Sequence, residues 1–332
     1  MVKPGLKNAL SDIEGFTVGH AHSARFTTGV TVVRCDHPMV AAIDVRGGGP
    51  GTRETDLLAE PNLVQHIHAL CLTGGSVFGL AAADGVAAAL SDQGVGLKLD
   101  PSARPVPLVP AATLYDLETG DDKDWGAEPP YQALGREALS ACQQDFALGQ
   151  VGAGTGARAG TLRGGMGSAS LDLGREGLVG ALAAVNCVGS AIMPDGVTPY
   201  AWSLELNNEF GGIAPPEKTE LADPFPDFGR LNASGRLRPG ANTTLGVIGV
   251  SFGLTRTELK RVAMMAHDGL ARAVRPAHLP FDGDCIFALS AQEVDHTLDP
   301  MMRALIVAKV GAAAADVLAR AIARGVYEAN RA

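Results

Sequence analysis

An α/β protein with sheets covered by helices is the fold class this sequence predicts, and three observations predict it. Short apolar runs rich in β-branched residues, such as 40–45 and 245–250, have the length and composition of buried strands. Between them lie Ala-rich stretches with helical spacing, 255–273 and 301–327 among them. The 42 glycines cluster between segments, as in Gly47-Gly48-Gly49 and Gly164-Gly165-Met166-Gly167. Such clusters let a backbone turn tightly or approach a ligand closely, so they predict tight turns around a site.

The elements follow in order. Residues 30–33 and 40–45 read as strands, the second running into Arg46-Gly47-Gly48-Gly49-Pro50-Gly51. Residues 54–69 have helical spacing, with a restart at Pro61. A buried strand at 70–73 leads through Gly74-Gly75 into a small-residue helix over 76–90, with Ser76 as its cap. Residues 105–110 alternate Val, Leu and Pro and lead into 111–116, which predicts an edge strand because Pro has no ladder donor. A helix over 131–148, a glycine loop with short strands over 151–170 and a buried strand over 178–188 come next. Residues 207–238 are polar, rich in Pro and without periodicity, as in a processed or flexible linker. The last third reads as a strand at 245–250, a helix at 255–273, a strand at 285–289 and a long helix or helix pair at 301–327. Thr255 and Glu258 fit a capping box on the first of these helices.

Composition narrows the function. With 332 residues, 46% of them hydrophobic, the chain can bury a sizeable core. A net charge of -9 and an isoelectric point near 5.4, with no basic stripe, argue against nucleic acid or an acidic membrane as partner. No apolar run reaches the ~18 residues of a membrane span. Five scattered cysteines without a CxxC, and no secretory apolar region near the start, read as reduced structural thiols in a cytoplasmic protein.

The chemistry centres on Asn242-Thr243-Thr244-Leu245, where a loop rich in Gly and Pro meets an apolar run. As a bare tripeptide Asn-Thr-Thr reads as a strand-entry turn, and it also matches a glycosylation sequon, a reading that needs a secretory signal. If the Asn242–Thr243 bond breaks, Thr243 carries a hydroxyl nucleophile and an α-amine titrating at about 8, a base on the same residue. Three other signals fail. Gly74-Gly75-Ser76-Val77-Phe78-Gly79 has one residue too many for a nucleophile elbow. Gly152-Ala153-Gly154-Thr155-Gly156 lacks both the dinucleotide-fold spacing and the phosphate-loop lysine. The pairs His20/His22 and His66/His68 lack a third metal ligand and read as solvated.

Motifs over most of the chain carry a family resemblance. Gly47-Gly48-Gly49-Pro50-Gly51-Thr52-Arg53-Glu54-Thr55-Asp56, Leu72-Thr73-Gly74-Gly75-Ser76-Val77-Phe78-Gly79-Leu80 and Arg104-Pro105-Val106-Pro107 with Val109-Pro110-Ala111-Ala112 begin the series. Gly152-Ala153-Gly154-Thr155-Gly156, Asn242-Thr243-Thr244 and Phe281-Asp282-Gly283-Asp284 complete it. In this order and spacing they resemble the DmpA-type aminopeptidases, N-terminal-nucleophile hydrolases that include β-aminopeptidases and, more distantly, the nylon-oligomer hydrolase NylC. The resemblance implies a four-layer αββα sandwich in one catalytic domain over 1–332. It implies self-cleavage into an α segment, 1–242, and a β segment, 243–332. It also implies amide hydrolysis without cofactor or metal, and a homo-oligomer, expected to be a tetramer.

Carried over by position, the resemblance implies Thr243 as nucleophile after the scissile Asn242, and Asp282 and Asp284 as an acidic pair that orients the hydroxyl or holds the amine. It implies Asn186 as the oxyanion amide. Arg163 stands where relatives often carry a lysine; it holds a charge but gives up no proton. Tyr131 is matched to a family tyrosine near the substrate, and Gly75 and Ser76, at a helix N-terminus, to binding of a substrate carboxylate or carbonyl. The expected function is a self-processing aminopeptidase acting on short peptides or aminoacyl amides through an acyl-enzyme. Its alternatives are endo-hydrolysis of ω-amino-acid oligomers of the 6-aminohexanoate type, and an unprocessed relative that binds a ligand or serves in an assembly.

Overall fold

The fold is organised around one long strand, β2, Thr28–Val45. The structure is a computed structural model that describes residues 2–120, 122–215, 217 and 242–331. The strands in chain order are β1 (Phe16–Ser23), β2, β3 (Gly51–Arg53), β4 (His66–Thr73), β5 (Ala111–Thr113), β6 (Arg158–Ala159), β7 (Leu162–Arg163), β8 (Gly165–Asp172), β9 (Leu178–Asn186), β10 (Thr243–Val250) and β11 (Cys285–Ser290). The α-helices are α1 (Ala82–Asp92), α2 (Tyr131–Ser140), α3 (Arg256–Ala273) and α4 (Pro300–Asn330).

Hydrogen bonding links nine strands in the order β3-β5-β4-β2-β11-β10-β9-β8, with β1 on β2. The register between β2 and β4 shifts between Arg34 and Met39, and there β2 passes from one half of the sheet to the other. Its first part pairs with β1 and β4, its last six residues with β11. The two halves stack, which the alternation of side chains records. In β2, Val30 and Val32 join the cluster under α1 and α2, while Val33, Ala41 and Ile43 join a central cluster with Leu70 and Leu72 of β4 and Leu245, Val247 and Phe287. Val40 and Ala42 join a third cluster with Ile248, Ile286 and the inner faces of α3 and α4. Three apolar layers separate four structural layers, the expected αββα sandwich, with the difference that β2 joins its two sheet halves.

The helix ends obey local rules. Thr255 accepts a bond from the Glu258 N–H while the Glu258 carboxylate accepts from the Thr255 N–H at 2.8 Å, the predicted capping box. Asp299 caps α4 through the N–H groups of Met301 and Met302, with Pro300 in the first turn, and α4 runs unbroken. Arg320 of α4, 1% exposed, is paired with Glu209 at 2.5 Å and donates to Ser170 C=O, tying this helix to the segment after β9.

Several expectations fail. Residues 54–69 form no α-helix: Asp56–Leu58 is one 3-10 turn, and β4 begins at His66. Pairing with β2 and β5 on its two sides, which buries alternate residues in two cores, outweighs the helical spacing there. The edge-strand reading of 105–116 also fails. Only Ala111–Thr113 is a strand, between β3 and β4, and β3 is the edge. The helix expected over 131–148 stops at Ser140, and that over 76–90 is a 3-10 stretch, Ser76–Ala81, followed by α1. Ser76 is not the cap. The capping position is Gly75, which has no side chain to bond with. Of the linker read at 207–238, residue 216 and residues 218–238 lie outside the described residues. Among the described residues no helix is long and apolar enough to cross a membrane.

Candidate active site

Thr243 is the first residue of β10 and lies opposite Asn186, the last residue of β9. Asn242 forms a parallel bridge with Asp282, so the Asn242–Thr243 peptide is flanked by β9 on one side and the Asp282-Gly283-Asp284 turn on the other. The Thr243 hydroxyl donates to the Asn242 carbonyl oxygen at 2.7 Å. The Gly283 N–H donates to that same oxygen at 2.8 Å. The residue is 1% exposed, in surroundings where such interactions are stronger than in water. A Cβ at position 283 would sit 2.5 Å from Thr243 Oγ1, so the hydroxyl and the backbone donor share this space only because residue 283 is glycine.

The two aspartates do different work. Asp284 Oδ1 accepts the Thr244 N–H at 2.7 Å and so fixes the peptide that follows Thr243. Asp282 Oδ2 accepts the Leu279 N–H at 2.8 Å, while its Oδ1 is buried without a partner among the described residues. Burial first, then the charge of Asp284, push the Asp282 carboxyl up to about 7. The Thr243 hydroxyl donates its hydrogen bond to the Asn242 carbonyl, and that bond goes to neither carboxylate. The Gly47–Gly49 motif holds the turn: Arg46 and Gly47 donate to Asp284 C=O, and Gly49 to Asp282 C=O.

Asn186 is fully buried with both ends of its amide committed. Its Oδ1 accepts the Arg158 N–H at 2.9 Å, and its Nδ2 donates to Tyr115 C=O at 3.1 Å. Its orientation is therefore set before any substrate arrives. Tyr115 thus reaches Asn186 through its backbone carbonyl. Tyr131 is fully buried on α2, its hydroxyl paired with Thr28 Oγ1 at 3.2 Å, and it packs under Gly75, where it supports the glycine turn. Gly75 has φ of 84°, and a Cβ there would run into the Tyr131 ring, so both backbone and space demand glycine. Its N–H donates to Asp116 at 2.8 Å, a carboxyl that burial pushes up. Ser76 follows at the partly exposed start of the 3-10 stretch. Arg163 is exposed, and its backbone bonds the Asn330 side chain at the end of α4; among the described residues the hydrogen bonds around Thr243 do not include it.

Sequence reasoning missed the groups behind the turn. His278 donates through Nδ1 to Asp284 Oδ2 at 2.8 Å, and its own N–H reaches the same oxygen at 3.1 Å. The Gly283 N–H was equally invisible, since a backbone donor leaves no mark in sequence. Of the two histidine pairs, His22 is exposed as expected, whereas His68 is buried and accepts the Leu108 N–H, and burial pushes His20 down to about 4. None of the five cysteines is in a disulfide, and four of them are buried.

The sequence profile of Peptidase family S58 matches residues 8–332. An uncharacterised aminopeptidase of Mycobacterium bovis is 42% identical, over 97% of this chain and 94% of its own. A 6-aminohexanoate-oligomer endohydrolase of a Kocuria species is 29% identical over 87% of this chain and 76% of its own. Among solved structures, a β-aminopeptidase from a Burkholderia species superposes with a TM-score of 0.69 at 21% identity, covering 98% of this chain and 88% of its own. The L-aminopeptidase D-Ala-esterase/amidase from Ochrobactrum anthropi, described as a variant among the Ntn hydrolase fold, gives 0.69 at 19% identity with the same coverage. These two likenesses establish the fold.

Proposed function

The chain belongs to peptidase family S58 and is a hydrolase of peptide or amide bonds, and on that premise we propose that it processes itself at Asn242–Thr243 and hydrolyses its substrates with Thr243. The observation that carries this reading is the pair of hydrogen bonds to one oxygen: the Asn242 carbonyl accepts from the Thr243 hydroxyl at 2.7 Å and from the Gly283 N–H at 2.8 Å. A carbonyl held by a backbone donor beside a hydroxyl is prepared for attack.

Self-processing begins when Thr243 Oγ attacks the Asn242 carbonyl carbon and loses its proton. The tetrahedral oxyanion is held by the Gly283 N–H, the C–N bond breaks, and the proton passes to the departing amine. Water then cleaves the resulting ester, leaving a carboxylate on Asn242 and a free amine on Thr243. The products are the segments 1–242 and 243–332. In hydrolysis the Thr243 amine takes the hydroxyl proton and returns it to the leaving amine of the substrate, and water releases the acyl group. Asn186, locked opposite Thr243, is the side-chain donor to the substrate oxyanion, and Asp284 holds the Thr244 peptide in register.

The 42% identity to relatives named as aminopeptidases favours short peptides and aminoacyl amides. The relatives named 6-aminohexanoate-oligomer endohydrolases support a second reading, internal cleavage of linear ω-amino-acid oligomers. Assaying a β-alanyl amide, an α-aminoacyl amide and an aminohexanoate oligomer separates them. Release of free amine from either aminoacyl amide, lost in Thr243→Ala, is the expected result; turnover of the oligomer alone reverses the assignment.

A further inference from the structure

Asp284 is 2% exposed, and its carboxylate receives three N–H groups. One, from Thr244, lies on Oδ1; the other two, on Oδ2, come from the backbone and ring of His278. We propose that His278, backed by His267, is the positioning residue that aims Asp284 at the peptide following the nucleophile. This deepens the reading in which Thr243 acts, and rests on it.

The argument runs through the tautomer. An ionised Asp284 only accepts, so His278 Nδ1 carries a proton. In the neutral ring His278 Nε2 is then bare, and it is buried without a partner among the described residues. His267 of α3 packs its ring edge to face against His278, centroids 4.8 Å apart. Its Nε2 lies 3.1 Å from Asp44 C=O, an acceptor, so Nε2 bears the proton and Nδ1 is bare, again buried without a partner among the described residues. Asp44 in turn is held by Arg46 and Lys260, both at 2.6 Å. The Asp44 cluster thus holds the His267 ring that packs against His278, and His278 in turn bonds Asp284. The groups facing the imidazole pair are Asp284, Asp44, Arg46 and Lys260.

His278 itself has φ of 58°, a conformation that Asn and Gly accept readily, and this supplies a clean test in the full chain. His278→Gly removes the ring donor, whereas His278→Asn offers an amide N–H in its place. The expected result is self-cleavage and kcat 10- to 100-fold slower in His278→Gly with KM within twofold, added imidazole recovering part of the loss, and His278→Asn within about threefold of the parent. Nitrogen-15 NMR of the parent protein should show the neutral ring of His278 with its proton on Nδ1, a readout independent of how any variant folds. A parental rate in His278→Gly, an equal loss in both variants, or the opposite tautomer overturns the proposal. Thr243→Ala is run beside them: activity surviving there sinks the underlying reading, whereas inactivity there with a parental His278→Gly sinks the positioning role alone.

Discussion

Replacing Asp282 by Asn should make the protein more stable at neutral and alkaline pH, although it removes a carboxylate from the centre of the site. Asp282 is 3% exposed, and burial together with the charge of Asp284 lifts it from 3.8 to about 7. Between those values the folded chain keeps a proton that the unfolded chain has released. Stability of the parent therefore falls as pH rises, by about 1.4 kcal/mol per pH unit, and levels off above pH 7. Asn carries no such penalty. The difference between variant and parent should widen from pH 4 to pH 7 and reach up to about 4 kcal/mol, or roughly 6 °C in melting temperature for a chain of this size. Both proteins are best measured in a Thr243→Ala background, where the chain is expected to stay intact, by thermal unfolding at intervals from pH 4 to pH 8. Adding Asp284→Asn should shrink the effect without abolishing it, because burial, the larger cause, remains. Parallel stability curves across that window would refute the assignment of a raised, buried carboxyl.

Three further outcomes follow from the same geometry. Gly283→Ala places a Cβ 2.5 Å from Thr243 Oγ1, and self-cleavage followed by electrophoresis should be slowed at least ~100-fold, the size of losing an oxyanion-hole interaction. Asn186→Ala should lower kcat for amide hydrolysis ~100- to 1000-fold with little change in KM, measured on pre-cleaved protein. Glu209→Ala strands the Arg320 cation, 1% exposed, inside the protein and should cost about 3–5 kcal/mol in urea unfolding.

What the sequence discloses here depends on how local the signal is. The capping box at Thr255 and Glu258 and the Ala-rich run of α4 are set by neighbours in the chain, and both stand where expected. Residues 54–69 mislead because β4 is defined by β2 and β5, partners that lie outside that window. The sandwich and the candidate residues Asn186, Asp282 and Asp284 are reached through a motif series, since nothing in the spacing of three distant polar residues says that they meet. The hydroxyl at Thr243 is legible; the Gly283 N–H that shares its carbonyl is not, because every residue but proline carries one. His278 escapes for a related reason: its partner is six residues away across a turn whose shape depends on the Gly47–Gly49 loop.

The central claim is tested most directly by the intact mass and N-terminal sequence of the purified protein beside its Thr243→Ala variant. The account predicts two fragments from the parent, the smaller beginning Thr243-Thr244-Leu245, and one uncut chain from the variant. A parent that stays at full length while hydrolysing amides would contradict it.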